Sequence, residues 1–300
     1  MSSEKKLTVK RLVIFLVISF IPFMILIPIM WAVYGEPLYS GKNEELAVVS
    51  YMVGVFGMMI PSAANLITRL ITKEGFANSY LGVHFKGKGG YWFASIAVKL
   101  IEGWAELFLL WAIFMNGTAF HEVYPNINMQ NIGAYLLQLA SSVIIFFPAF
   151  GEEWGWRGYM MPKLLELMPK PAAIVVGGVI WGLWHAPLTV AGHNFGTDYP
   201  GYPFVGILVM CLFCVMMNCF LTLVTEKTRS IYPASFIHMI NNNMGAAVLL
   251  TVFGSEASIQ KIQGLNSIEL FFSMFGITAL TAVISFVLFV KKDKSQIQSV

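Results

Sequence analysis

Apolar runs long enough to cross a lipid bilayer recur along nearly the whole chain. A spanning helix needs about 20 such residues, and eight runs of this kind can be delimited to within a few residues. Hydrophobic residues make up 57% of the chain and charged residues only 12%. The sequence therefore predicts an all-α membrane protein, with residues 1–300 forming a single polytopic membrane domain, a bundle of about eight transmembrane helices. The runs are Leu12–Val33, Leu46–Leu70, Tyr91–Met115, Ile132–Phe150, Ala172–Val190, Phe204–Val224, Tyr232–Phe253 and Leu270–Val290.

The positive charges fall mostly on alternate connections. With the N-terminus placed inside, only Lys42 and Lys261 of the 19 Lys and Arg residues lie on outer connections, and Lys99 lies within the third run. The excess of Lys and Arg on inner segments predicts that both termini are cytoplasmic and that the number of spans is even. Glu152 and Glu153 are then expected toward the cytoplasmic face.

An acidic motif, Gly-Glu152-Glu153-Trp-Gly-Trp-Arg157-Gly, follows the fourth run. Ionisable groups in a lipid-embedded chain are costly and usually face a cavity or a partner, so they indicate function. Glu153 and Arg157 are four residues apart and are expected to pair on one helix face. Glu152 points about 100° away and is left to project into a cavity as a general base. Taken alone, the motif also fits a salt-bridged helix end.

Two later motifs each place a histidine on a predicted span. Trp181-Gly-Leu-Trp-His185-Ala-Pro187 puts an indole and an imidazole on one face, with a proline kink just beyond. His238 and Asn242 are likewise four residues apart and point the same way, while Asn241 and Asn243 face other directions and are predicted to be structural. Each motif alone also fits hydrogen bonding between packed helices.

Together the three motifs bring a carboxylate, two imidazoles and an amide to one bundle. That set suits the activation of a water molecule and the stabilisation of an oxyanion, as peptide hydrolysis requires. It also suits a metal ion with two nitrogen ligands, a carboxylate and one open position. No His-Glu-x-x-His or Gly-x-Ser-x-Gly motif is present, and the only Asp residues, Asp198 and Asp293, lie in hydrophilic segments. Zincin-like, rhomboid-like and presenilin-like enzymes are therefore disfavoured.

The ordered pattern of Glu-Glu-x-x-x-Arg, aromatic-x-x-x-His and His-x-x-x-Asn closely resembles the CAAX prenyl protease 2 family, part of the CPBP superfamily of intramembrane proteases. The resemblance is sharp over about residues 149–245, and the family-like catalytic core is predicted at about 130–255. One position departs mildly from the pattern: the aromatic residue before the first histidine is more often Phe in the family and is Trp181 here.

The resemblance implies a membrane-embedded endopeptidase. Its implied catalytic residues are Glu152 and His185, which activate the water, His238 and Asn242, which stabilise the oxyanion, and Glu153 and Arg157, which support the site. A divalent metal such as zinc is an open question. If one is bound, the expected ligands are Glu152, His185 and His238.

The expected substrate is a peptide or protein, cut near its C-terminus and either prenylated or membrane-associated. Membrane lipid is the other expected partner, and no feature indicates nucleic-acid binding. The short connections favour a bacterial or archaeal plasma membrane over the endoplasmic reticulum.

Two other functions remain open from the residues. A non-catalytic binding or bacteriocin-immunity protein would keep the same fold with the motifs as inherited scaffold. A proton-coupled transporter would use Lys99, Glu102 and Glu106, which share one face of the third predicted span. These three residues also fit a buried structural ion pair, which is the favoured interpretation because Lys99 and Glu102 can neutralise each other.

Overall fold

A computed structural model describes residues 2–40, 44–115, 117–263 and 267–291. Lys42 and Asp293, noted above, lie outside these ranges. The described residues form helices and connecting loops and no strand. The first nine elements are α1 (Ser3–Tyr34), α2 (Glu44–Gly57), α3 (Ile60–Thr72), α4 (Gly89–Phe114), α5 (Phe120–Val123), α6 (Met129–Ser141), α7 (Val143–Gly155), a π-helix (Trp156–Met160) and α8 (Met161–Leu167). They are followed by α9 (Lys170–Trp184), α10 (Ala186–Val190), α11 (Phe204–Thr228), α12 (Tyr232–Met244), α13 (Ala246–Phe253), α14 (Glu256–Gln263) and α15 (Ser267–Val290).

The apolar helices make this an integral membrane protein. Within the described ranges, three segments are long and apolar enough to cross a bilayer: Ser3–Tyr34, Glu44–Thr72 and Phe204–Thr228. A fourth is counted if α6 and the Val143–Leu167 segment, which meet at a bend of 48°, are taken as one span. The 26-residue α4 is also long enough but carries three charged side chains on its inner face. The count of about eight spans and the cytoplasmic placement of the termini stay predictions.

Several predicted spans are broken helices rather than single rods. The second run divides into α2 and α3, the fourth into α6 and α7, the fifth into α9 and α10, and the seventh into α12 and α13. Pro187 explains the break in the fifth run, because its ring clashes with the carbonyl of the preceding turn and it has no N–H to donate. Gly245, with an extended backbone, separates α12 from α13.

The two described chain ends lie at the same end of the bundle. Near the start of α1, the Thr8 hydroxyl donates to Glu166 of α8 at 3.0 Å. At the start of α9, Lys170 Nζ donates to the carbonyl of Phe289, close to the end of α15, at 3.2 Å. Since α8 and α9 are adjacent in the chain, the first and last helices both reach the α8–α9 connection.

Two pairs of glycines bring the site-bearing helices close to their neighbours. A Cβ on Gly151 or Gly155 of α7 would lie within 3 Å of backbone atoms where α2 meets α3. On α9, a Cβ on Gly178 would come 2.4 Å from Val215 Cα, and one on Gly182 would come 2.4 Å from Cys211 Cα, both on α11. Small residues four apart let helix backbones pack this tightly in membranes. The spacing Gly-x-x-x-Gly therefore fixes the helices that carry the acidic motif and the first histidine.

Candidate active site

Glu152 lies near the C-terminal end of α7 and is almost fully buried, with 2% of its surface exposed. Its Oε2 accepts two indole hydrogen bonds, from Trp181 Nε1 at 2.8 Å and from Trp156 Nε1 at 3.2 Å. Trp156 opens the π-helix that follows α7, and π-turns inside helices are frequent at functional sites. The two donors fix the orientation of the carboxylate.

Glu153, the adjacent residue, links the acidic motif to the last histidine. Its Oε1 accepts from Arg157 Nη1 at 2.9 Å, the i, i+4 contact expected from helix geometry, and all of this pair is buried. The same oxygen lies 2.7 Å from Nδ1 of His238 on α12. Because a carboxylate only accepts, Nδ1 carries the hydrogen and Nε2 is left for another partner. The contact between Glu153 and His238 spans 85 residues of sequence and was not anticipated.

His185 is the first residue after α9, at the break that precedes Pro187. Its backbone N–H donates to Gly182 rather than to the carbonyl one residue earlier. That carbonyl, of Trp181, instead accepts from the His185 ring at Nδ1, at 2.9 Å. Because a carbonyl can only accept, the neutral ring holds its hydrogen on Nδ1 and presents the Nε2 lone pair. The helix break thus sets the tautomer of His185.

Trp181 contacts four of the residues described so far: Glu152, Arg157, His185 and His238. Its Nε1 donates to Glu152, its carbonyl accepts from His185, and the Arg157 guanidinium carbon lies 4.1 Å from its ring centroid. The ring centroid of His238 is 5.5 Å away. A phenylalanine, the more usual residue in the resembled family, would keep the cation–π contact but has no N–H for Glu152. The departure at Trp181 therefore adds a hydrogen bond to the site.

Four of the six predicted site residues line one cavity of about 530 Å³. They are Glu152, His185, His238 and Asn242. Asn241 also lines it and donates to Asn242 Oδ1 at 3.2 Å. Asn241, which the helix spacing predicts to face another direction, therefore lies on the cavity wall beside Asn242.

Glu153 and Arg157 are absent from the described cavity wall and lie behind it. A third histidine, His193 in the loop after α10, also faces the cavity and packs against the Tyr39 ring. Nothing in the sequence around His193 marked it, because it lies on no regular helix face. Residues on the cavity wall can therefore contact a substrate, whereas Glu153 and Arg157 can act only by holding wall residues in place.

The expected metal ligands can be tested against this geometry. Both histidines have Nδ1 hydrogen-bonded and Nε2 free, as metal-binding imidazoles usually do. However, within the described part of the chain no three His, Cys, Asp or Glu side chains are grouped closely enough to hold an ion. The three-ligand site of Glu152, His185 and His238 therefore stays a prediction.

Comparison with known families agrees with the motifs. A family model described as Rce1-like, type II CAAX prenyl endopeptidase, matches residues 134–244. A search of curated proteins gives no match. The matched segment lies within the core predicted at about 130–255 and contains all six predicted site residues, so the resemblance to CAAX prenyl proteases is confirmed. Over residues 134–244 this chain is therefore similar to the Rce1-like family of type II CAAX prenyl endopeptidases.

Proposed function

We propose that this protein is an intramembrane endopeptidase that hydrolyses a peptide bond with a water molecule activated by Glu152 and His185. The observation that carries the proposal is the single cavity onto which Glu152, His185, His238 and Asn242 all open. The similarity of residues 134–244 to a family of endopeptidases also supports the proposal. We further propose a substrate that is prenylated or membrane-associated and is cut near its C-terminus.

The first step places a water molecule between the base and the substrate carbonyl. Glu152 takes a proton from the water while His185 Nε2 accepts the second water hydrogen and orients it. The water oxygen then bonds to the carbonyl carbon, and the carbonyl oxygen becomes an oxyanion. The two indole donors keep the Glu152 carboxylate in one orientation, which favours a single geometry of attack.

The second group of residues stabilises the intermediate. The Asn242 amide donates to the oxyanion, and so does His238 Nε2 when the ring is protonated, with Glu153 balancing the charge of that ring. Arg157 in turn holds Glu153 in place. When the intermediate collapses, the C–N bond breaks and the proton on Glu152 moves to the leaving amine. The atoms of one water molecule end up divided between the new carboxyl and amino termini.

The test uses protein reconstituted in liposomes with a mixed panel of prenylated and unprenylated membrane peptides. New termini are read by mass spectrometry. Loss of a general base costs about 10²–10⁴-fold in rate, so Glu152→Gln is expected to abolish detectable cleavage. Glu122→Gln, the same change at an exposed residue of α5, is the matched control and is expected to cut like wild type.

The outcomes separate the proposal from its alternatives. Equal cleavage by wild type and Glu152→Gln would show that Glu152 is not the base. If no peptide in a broad panel is cut, the binding or immunity function is favoured. Solute uptake that depends on a proton gradient would instead indicate a transporter. Repeating the assay with a strong chelator tests whether a metal ion is required, and the prenylated and unprenylated arms test the lipid requirement. Placement in a bacterial or archaeal plasma membrane stays a prediction.

A further inference from the structure

A second set of polar side chains, on α4, lines the same cavity as the motif residues. Lys99 and Glu106 both line the cavity, and Glu102 lies between them on the same helix face. All three side chains are buried, with Glu106 only 6% exposed. Charged groups in a membrane-embedded helix are costly, so three on one face of α4 require an explanation.

Lys99 and Glu102 form an ion pair with each other. The Lys99 ammonium lies 2.7 Å from Glu102 Oε2, so one positive and one negative charge are neutralised. Among the described residues Glu106 forms no ion pair of its own, although the charge of Lys99 acts on it along the same helix face. Its Oε1 accepts a hydrogen bond from the Thr278 hydroxyl of α15 at 2.9 Å, and its Oε2 has no hydrogen-bond partner among the described residues. A neutral hydroxyl does not balance the charge of a carboxylate.

The motif residues do not supply a cation that could balance the charge of Glu106. Arg157 is paired with Glu153, and Glu152 is held by two neutral indoles. The histidines on the cavity wall add no positive charge while neutral. With Lys99 neutralised by Glu102, the carboxylates of Glu152 and Glu106 both line the cavity without an ion-pair partner among the described residues. A free carboxylate of a ligand would find no spare cation on the α4 wall, whereas an ammonium or guanidinium group would find Glu106.

We propose that Glu106 is a specificity subsite that binds a basic side chain of the substrate, Lys or Arg, close to the bond being cut. This inference rests on the proposed protease function and specifies its substrate. A cavity of about 530 Å³ is within the range of about 300–1,000 Å³ that ligand sites occupy. Thr278 positions the carboxylate, and the Lys99–Glu102 pair keeps the rest of the wall neutral.

The experiment compares peptides that differ only by Lys against norleucine, which has nearly the same shape without the charge, at each position around the cut. A buried hydrogen bond to a charged group corresponds to about tenfold or more in affinity. Wild type is expected to favour the Lys peptide by that factor in kcat/KM at one position. Glu106→Gln is expected to reduce this ratio, Glu106→Asp to retain part of it, and the exposed Glu122→Gln to leave it unchanged.

Binding is measured separately, so that failure of the subsite and failure of the protease function are distinguishable. Fluorescence anisotropy of labelled Lys and norleucine peptides is recorded with the Glu152→Gln protein, with and without Glu106→Gln. A Lys preference in binding that Glu106→Gln removes supports the subsite even if no peptide is cut. Equal affinity of the Glu152→Gln protein for both peptides, together with equal cleavage of both by wild type at every position that is cut, would overturn the inference, whether or not the Glu106 variants fold. A Glu106→Gln protein that loses thermal stability but keeps the Lys preference would also overturn it, leaving only the bond to Thr278.

Discussion

Replacing Trp181 with phenylalanine tests how the candidate base is held. The change removes the Nε1–H that donates to Glu152 Oε2 at 2.8 Å and leaves the longer bond from Trp156 at 3.2 Å. The carbonyl of residue 181 still accepts from His185, because that contact belongs to the backbone. Position 181 therefore allows the removal of one donor with the tautomer of His185 preserved.

The expected loss follows from the strength of that bond. A hydrogen bond to a charged group contributes about 1.5–3 kcal/mol, and about 1.4 kcal/mol in an activation barrier is a tenfold change in rate. If Glu152 must be held in one orientation to act as a base, Trp181→Phe should lower kcat/KM by about 10- to 150-fold. The same liposome assay and mass-spectrometric readout measure this effect.

A matched control separates the site from the general effect of replacing an indole. Trp111 of α4 donates from Nε1 to the carbonyl of Thr118 at 2.9 Å, in an exposed position away from the cavity. Trp111→Phe removes a similar bond and is expected to leave cleavage unchanged. If Trp181→Phe cuts within about twofold of wild type, far less than one such bond predicts, the indole does not position Glu152 and the reasoning is refuted.

Three further predictions concern the residues that support the site. Gly178→Ala should lower both thermal stability and cleavage, because the new Cβ meets backbone of α11 at 2.4 Å, while Gly133→Ala, with nothing within 4 Å, should be tolerated in the same two assays. Glu153→Gln should lower the free energy of unfolding by about 3–5 kcal/mol, since it leaves a buried guanidinium unpaired, and a thermal melt at wild-type Tm would contradict this. Glu74, in the loop after α3, is partly desolvated, which raises its pKa, but the bonds from Lys163 and Tyr159 and the charges of Lys163 and Arg11 together outweigh this and hold the pKa below the ordinary 4.5. Its contribution to stability should be present above about pH 4.5 and lost as the pH falls through the lower folded pKa, so the melting difference between wild type and Glu74→Gln should vanish in acid.

The local geometry of the site could be predicted from the sequence because it depends on helix periodicity alone. The Glu153–Arg157 contact and the shared face of His238 and Asn242 both follow from residues four apart on a helix. The positions of the apolar runs also agree with the observed helices, since hydrophobic length is a property of the sequence itself. The helix breaks within those runs could not be predicted in the same way, because hydropathy does not change when a single residue adopts a non-helical backbone conformation. Only Pro187 was recognised as a kink.

Contacts between distant segments required the tertiary structure. Neither the indole bond from Trp181 to Glu152 nor the contact of Glu153 with His238 has a signature in spacing, because each depends on how α7, α9 and α12 pack. The glycine pairs that set this packing were present in the sequence as Gly-x-x-x-Gly, yet their partners across α11 could not be read from it.

The sequence by itself determined that this is a membrane protein and predicted which residues carry the chemistry, because residue type and helix periodicity are local. Only the tertiary structure decided which carboxylate binds His238 and that Glu106 of α4 lines the same cavity as Glu152. The physical reason is that burial, pairing and the balance of charge are properties of side chains from several helices together. The sequence of a single helix does not specify which side chains of other helices will pack against it.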